Sequence, residues 1–370
     1  MSKVTITSYN IHSCVGTDGY YSIERVAGAI RHDKPQIVCL QEVEVNTSHV
    51  IATKSSNARD SKNSPPIRNR IWSSFHSDNQ PAVIASQLGF QYHVFAPAIR
   101  SRASSRWKET HHVVCDADIS GNYCRVNKCN DKHSGPYRDD ERNNTHDYVT
   151  GKFGIAILSK YPILEVKIHE FRRYKQKNIR NAMACLVLLP NSKLIWVVNT
   201  HLGCHFLGKE QHCQARELVE FIHSLEKAAT IDATLQGDDT HNTHTIISHD
   251  IAGDTNKISG VILCGDFNSP PFFRSIREIE RHGIHDIWSY SGKGLGGTFP
   301  SDGRVLSIPL CLGKCRRNMR ILRLDYMFVV QFGGFDIVCV RVHVACDIDD
   351  SDDARFTASD HLPLCGVFLI

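Results

Sequence analysis

The run Ile-Leu-Cys-Gly-Asp-Phe-Asn at 262–268 carries a carboxylate, Asp266, and an amide, Asn268, two residues apart where an apolar stretch ends. Two positions apart on an extended chain, such side chains share a side. Apolar stretches in α/β proteins commonly place ligand-binding groups at their carboxyl ends. A carboxylate beside an amide at that place suits a metal-bound, phosphate-holding site. A turn-capping Asp/Asn pair is the plain alternative for this motif taken alone.

The same device recurs along the chain. Asn10 ends an apolar run, as do Gln41 and Glu42, Asn199 and His201; Asp325 interrupts another, and Asp360 and His361 precede the last. Each has a structural reading as a cap or a satisfied core group. As a set they form one donor kit of carboxylates, amides and imidazoles. Hard oxygen ligands without Cys or paired-His spacing favour Mg²⁺ or Mn²⁺ over zinc. Imidazoles move protons near neutral pH or, when charged, stabilise a developing phosphorane. A carboxylate behind a His fixes its tautomer and favours its cation. Metal, positioned water and a donor for the leaving oxygen suffice for phosphoester hydrolysis.

Alternating strands and helices must position these residues. VTITSYNI, QIVCLQEV, QYHVFAPAI, FGIAILSKYPI, AMACLVLLP, LIWVVNTHL, GVILCGDFN, LRLDYMFVV, FDIVCVRVHVA and the final SDHLPLCGVFLI read as strands. SIERVAGAIRHD, capped by Ser22, QPAVIASQLG, stopped by Gly89, GKEQHCQARELVEFIHSLEKA and FFRSIREIERHG read as helices. Residues 46–79, 100–150 and 230–258 are polar and break the rhythm, so they read as surface insertions in a single domain spanning 1–370.

The 370 residues carry 41% hydrophobic and 22% charged residues with a net charge of +4, values of an ordinary globular protein. That charge admits an anionic substrate without demanding nucleic acid. No apolar run is long enough for a transmembrane helix and no signal peptide is visible, so the expected compartment is the cytoplasm, with the nucleus as an alternative. The 14 cysteines include Cys39, Cys185, Cys264 and Cys365, set singly in apolar runs, which favours buried, reduced thiols over disulfides.

SYNIH (8–12), LQEV (40–43), VNTHLG (198–203), GDFNSPP (265–271), RLDYMFV (323–329) and SDHLPL (359–364) together resemble the endonuclease/exonuclease/phosphatase superfamily, in order and from end to end. GTDGYYSIERVAGAI, QPAVIA, FAPAI, GIAILSKYPI and GGTFP are similar to its branch of small metal-dependent hydrolases. The resemblance implies an α/β fold of DNase I-like type: a four-layer sandwich of two mixed β-sheets flanked by helices, with the site at one end of the sheets.

It also implies residue roles. Glu42 matches the principal metal ligand, with Asn10 beside it and Asp360 near the metal. Asp266 and Asn268 match the pair holding the attacking water and the scissile phosphate. Asp325 matches the carboxylate that orients His361, the imidazole at the phosphate, and His201 the second imidazole. Arg180 and Asn199 are weaker matches to phosphate contacts. Two proton-transfer assignments stand. In the favoured one Asp266 orients or deprotonates water and His361 stabilises charge. In the other, Asp325–His361 is the base and His201 the acid.

The chain departs from the branch at Ile155, where a polar residue is usual, and in the length of 100–150, which contains His111, His112, Cys115, Cys124, Cys129 and His133 in no familiar zinc spacing. The expected activity is a Mg²⁺-dependent phosphodiesterase or nuclease cutting by in-line water attack. The alternatives are a phospholipid (sphingomyelinase-like) or inositol-phosphate hydrolase of the same fold and, remotely, a catalytically dead binding module. A nucleic acid or nucleotide is favoured over phospholipid, with no obligate protein partner. Lys314, Arg316, Arg317, Arg320 and Arg323 form the best basic patch, and no exposed apolar hairpin stands out.

Overall fold

β1 (Lys3–Asn10) alternates Val4 and Ile6 with threonines, and it is buried on both faces over its second half. It lies parallel to β2 (Ile37–Val45) and antiparallel to β13 (Leu364–Leu369). With β5 (Lys152–Ser159), β3 (Tyr92–Arg100) and β12 (Val338–Val344) they form a six-stranded sheet, ordered β12-β13-β1-β2-β5-β3. The second sheet has seven strands: β10 (His285–Asp286), β11 (Asp325–Gln331), β9 (Ile258–Asp266), β8 (Leu194–His201), β7 (Asn181–Leu188), β6 (Ile163–Glu170) and β4 (Arg125–Lys128). This computed structural model describes residues 2–45, 78–100, 125–128, 152–172, 179–234, 258–301, 322–332, 337–345 and 357–370. Of 99–100, 125–128 and 228–234 it describes the backbone alone.

Three apolar clusters fix the layers. Ile6, Ile37, Cys39, Ile157, Val197, Ile262 and Leu364 fill the space between the sheets. Val198, Leu263 and Phe328 on the outside of the seven-stranded sheet meet α3 (Lys209–Thr234) through Leu218 and Ile222, and α4 (Arg274–Arg281) through Ile276 and Ile279. Tyr9, Val38 and Leu158 on the outside of the six-stranded sheet meet α1 (Ile23–Arg31) through Val26 and Ile30, and α2 (Gln80–Leu88) through Ile84. The four-layer sandwich of two mixed sheets is therefore the fold. α5 (Trp288–Ser291) lies against β12.

The helix ends follow their sequence signals. Ser22 caps α1 by accepting from the Arg25 amide, and Gly89 closes α2 in the left-handed region, φ 71°.

Several elements differ from the sequence reading. FGIAILSKYPI is two strands, β5 and β6, separated at Lys160–Pro162, because Pro162 cannot donate to a ladder and the chain changes sheets there. β2 does not end at Glu42; it runs on to Val45 through a bulge between Leu40 and Val43. α3 reaches Thr234, inside the expected 230–258 insertion. β4 lies within the expected 100–150 insertion and pairs parallel with β6. Residues 46–77, 101–124, 129–150 and 235–257 lie outside the described residues, as do the Cys and His positions singled out in 100–150.

All eight cysteines of the described residues are free thiols; Cys14, Cys39, Cys185, Cys264, Cys339 and Cys365 are buried. No helix among the described residues is long and apolar enough to cross a membrane.

Candidate active site

Register alone aligns three of the chemical residues. His201 at the end of β8 pairs with Asp266 on β9, and Asp266 pairs with Asp325 on β11. On the other sheet Asn10 pairs with Gln41 across β1 and β2. Directly opposed residues put their side chains on the same face, so the strand ends deliver an imidazole and two carboxylates side by side.

Two backbone conformations aim the remaining groups. The β2 bulge leaves Glu42 with a positive φ of 55°, and Asn268 has φ 48°. Neither is glycine, and such conformations store backbone strain that functional sites commonly hold. Gly265 permits the close passage of β9 and β8: a Cβ there would run into the Thr200 carbonyl.

Asp266 Oδ2 is the hub. Asn10 Nδ2 donates to it at 3.0 Å and to Glu42 Oε1 at 3.2 Å, so one amide spans the two carboxylates. His201 Nε2 lies 3.5 Å and His361 Nε2 3.7 Å from the same oxygen. Asp266 Oδ1 accepts from the Asn268 amide at 2.8 Å. His361 Nδ1 faces Asp325 Oδ2 at 2.8 Å, and Phe299 packs against its ring. Ser359 Oγ donates to the Asn10 carbonyl and accepts from the His361 amide, which stitches the last motif to the end of β1.

The charges follow from burial and neighbours. Burial pushes the Asp266 carboxyl up to about 7, against the pull of His361. Burial would lower His361, but Asp325 and Asp266 reverse that and carry it to about 10. His361 is therefore an imidazolium at neutral pH, with Nδ1–H on Asp325 and Nε2–H turned toward Asp266. His201 goes the other way: burial, then the charges of Arg180 and His361, hold it well below the usual imidazole range.

Arg180 explains the state of His201. Its Nη1 lies 2.9 Å from His201 Nδ1, and a guanidinium can only donate, so Nδ1 is the acceptor and the ring proton sits on Nε2. Asn268 Nδ2, which donates to the Leu202 carbonyl at 3.0 Å, stands 3.0 Å from that Nε2. Two N–H donors thus converge on one spot, an arrangement made for an anionic oxygen.

The buried trio Asp266, Asp325 and His361 could hold a metal ion. Asp325 Oδ1 is buried without a hydrogen-bond partner, and Glu42 adds a partly exposed carboxylate across Asn10. These oxygens fit a hard divalent cation.

From residue 7 to residue 361 the sequence matches the Endonuclease/Exonuclease/phosphatase family. The chain belongs to that family. It is an enzyme of the phosphoester-hydrolysing kind. Among endonuclease/exonuclease/phosphatase structures, one from Beutenbergia cavernae is 17% identical, covers 100% of this chain and 72% of its own, with a TM-score of 0.53. The human Nocturnin catalytic domain with bound sulfate is 15% identical, with 99% of this chain and 93% of its own covered, TM-score 0.52. D. rerio TDP2 complexed with a single-strand DNA product is 14% identical, with both chains fully covered, TM-score 0.51. At these identities the likeness concerns the endonuclease/exonuclease/phosphatase fold. No curated protein sequence matches the chain.

Other expected site residues of this family member fall elsewhere. Asn199 is not free for phosphate. It is fully buried, its Nδ2 donates to the Leu40 and Ala156 carbonyls and its Oδ1 accepts from Gln41 Nε2, so it ties the two sheets together. Arg180 turns its Nη1 to His201 instead of standing free for substrate. Asp360 is about one-third exposed, 3.9 Å from His12 Nδ1. Ile155 is buried in the inter-sheet core and lines a narrow cleft with Arg180, Asn181 and His201, so a polar contact is replaced by packing. Of the basic patch, Arg323 is consumed by an ion pair with Asp286 at 2.7 Å and by the Tyr326 ring; residues 314–320 lie outside the described residues.

Sequence reasoning missed an apolar edge. Gln211 Nε2 donates to the His205 and Asn268 carbonyls, joining the loop after β8 to the loop after β9. These loops expose Phe206, Leu207 and Phe272 by 80%, 64% and 65%. They come as the short pairs Phe206-Leu207 and Phe272-Phe273 inside loops, too brief to read as an apolar run.

Proposed function

We propose that this chain is a Mg²⁺-dependent phosphodiesterase that cuts by in-line attack of water, with a nucleic acid or nucleotide as substrate and Mn²⁺ as the alternative ion. The observation that carries this reading is the convergence on Asp266 Oδ2 of Asn10 Nδ2 at 3.0 Å, His201 Nε2 at 3.5 Å and His361 Nε2 at 3.7 Å, with His361 backed by Asp325 at 2.8 Å, while burial lifts the Asp266 carboxyl to about 7. General-base catalysis is most efficient when the base titrates near the working pH.

Glu42 and Asn10, with Asp360 nearby, would hold the ion; bound there, it would neutralise phosphate charge and lower the pKa of water. The residues of the chain do the rest. Asp266 orients the attacking water and takes its proton on Oδ2. The His361 cation, kept charged by Asp325, faces the charge that builds on the phosphoryl oxygens. Asn268 Nδ2 and His201 Nε2–H donate to the same oxygens and fix the group for attack. This assignment is supported over a His361 base with a His201 acid, because Asp325 and Asp266 favour the charged form of His361, and burial with Arg180 disfavours the imidazolium His201 would need as an acid. The bound sulfate of Nocturnin and the single-strand DNA product of TDP2 support an oxyanion, and a diester of a nucleic acid, as the ligand.

A phospholipid diester is the second reading, favoured by Phe206, Leu207 and Phe272 beside Asn268. Buried thiols free of disulfides among the described residues support a reducing compartment such as the cytoplasm. The test compares turnover of an aryl phosphodiester and its monoester, then of short single-stranded oligonucleotides and sphingomyelin vesicles. Diester and oligonucleotide turnover is expected. Monoester-only turnover would make the chain a phosphatase, and vesicle-only turnover a lipid hydrolase.

A further inference from the structure

A second cluster of metal-ligating side chains lies away from the strand ends just described. Thr7, Cys365 and His343 sit in register across three neighbouring strands, Thr7 opposite Cys365 and Cys365 opposite His343. Their neighbours Ile6, Leu364 and Val342 face the inter-sheet core, so this row faces outward, on the side that α1 covers. Asp33, just beyond the end of α1, closes over it. Ligand atoms of Asp33, His343 and Cys365 all lie within 4.8 Å of one another.

We propose that Asp33, His343 and Cys365 form a second metal site, for a transition-metal dication of the zinc class. The donor set decides the class: one thiolate and one imidazole with one carboxylate suit Zn²⁺ or Co²⁺ and are poor ligands for Mg²⁺. Asp33 and His343 are 15% and 24% exposed, so an ion can reach a pocket floored by the buried thiol.

An independent polar atom belongs to the same cluster. Among the described residues, His343 Nδ1 is buried without a hydrogen-bond partner. Buried polar groups are ordinarily satisfied, and an ion with its coordinated water is a common reason for apparent orphans. Thr7 stands beside the thiol: burial, then Asp33, raise Cys365 while the Thr7 hydroxyl opposes the rise. His32 Nδ1 lies 3.6 Å from Asp33 Oδ1 on a largely exposed side chain, a fourth donor within reach.

In the ion-free protein Asp33 Oδ1 pairs with His343 Nε2 at 3.0 Å. Cation binding breaks the Cys365 S–H bond, releases that proton to solvent and forms a metal–thiolate bond. His343 binds as the neutral ring, and no electron is transferred.

The test is a Co²⁺ titration of the full chain in excess Mg²⁺, reading the thiolate-to-cobalt charge-transfer band in the near ultraviolet. Because the chain has 14 cysteines, the readout is the difference between variants. Cys365→Ser should remove one equivalent of the band, His343→Gln should weaken that equivalent by about tenfold or more, and Glu42→Gln should leave it intact. A full band in Cys365→Ser overturns the proposal. Should Cys365→Ser fail to fold, the thermal midpoint with and without Zn²⁺ decides: a rise in the parent that His343→Gln abolishes supports the site, and equal rises overturn it.

Discussion

Arg180 Nη1 stands 2.9 Å from Nδ1 of the buried His201, and this contact sets where the ring proton lies. Replacing Arg180 with Gln offers Nδ1 either a donor or an acceptor, so the tautomer is no longer forced. Nitrogen NMR of His201 should show Nε2–H in the parent and a mixture in the variant. Turnover should fall about 10–100-fold, with Arg180→Lys recovering part of it. An unchanged tautomer and rate would remove Arg180 from the positioning of His201.

Asp325→Asn keeps the shape beside His361 but removes the charge that sustains its cation. The expected loss in kcat is about 10²–10⁴-fold with little change in KM. His361→Ala should lose as much, and the double variant little more, since both remove one unit. Additive losses in the double variant would show that the two act separately.

His361 also predicts a pH dependence of stability in the ion-free protein. Its folded value, about 10, lies above the ordinary imidazole value of 6.5. The folded state therefore holds its proton more tightly than the unfolded state. That stabilisation is complete below pH 6.5 and is lost as pH rises toward 10. Chemical denaturation across this window should show stability declining through His361, and the decline should flatten in Asp325→Asn. A slope unchanged by the substitution would contradict the charge assignment.

Asn199→Ala tests the correction to the sequence reading. It leaves the Leu40 and Ala156 carbonyls and Gln41 without a partner between the sheets. The expected cost is about 1–3 kcal/mol of folding stability. KM should move little; a large KM effect with full stability would restore Asn199 as a phosphate contact.

Much of this site was legible because strand ends are legible. Apolar runs that stop at Asn10, His201 and Asp266 announce both the strand and the group it carries, and parallel register then brings His201 beside Asp266. What the runs do not encode is the partner across a sheet or between sheets. Asn199 and His201, two positions apart on β8, share its inter-sheet face; what the run does not encode is that Asn199 meets the Leu40 and Ala156 carbonyls of the other sheet while His201 sits at the strand end beside Asp266. Arg180 just before β7 was visible as a basic residue, but its contact with His201 depends on the β7–β8 pairing. The bulge at Glu42 and the β5–β6 break are local backbone events without a strong residue signal in β2, and with Pro162 as the one marker in the other case.

The proposed reaction is metal-assisted diester hydrolysis with Asp266 at its centre. Its most direct test is the rate of aryl phosphodiester hydrolysis as a function of Mg²⁺, in the parent chain, Glu42→Gln and Asp266→Ala. The rate should saturate with Mg²⁺ in the parent, need far more Mg²⁺ in Glu42→Gln, and fall by about a thousandfold in Asp266→Ala at every concentration. Turnover that is independent of Mg²⁺, or that survives in Asp266→Ala, would contradict it.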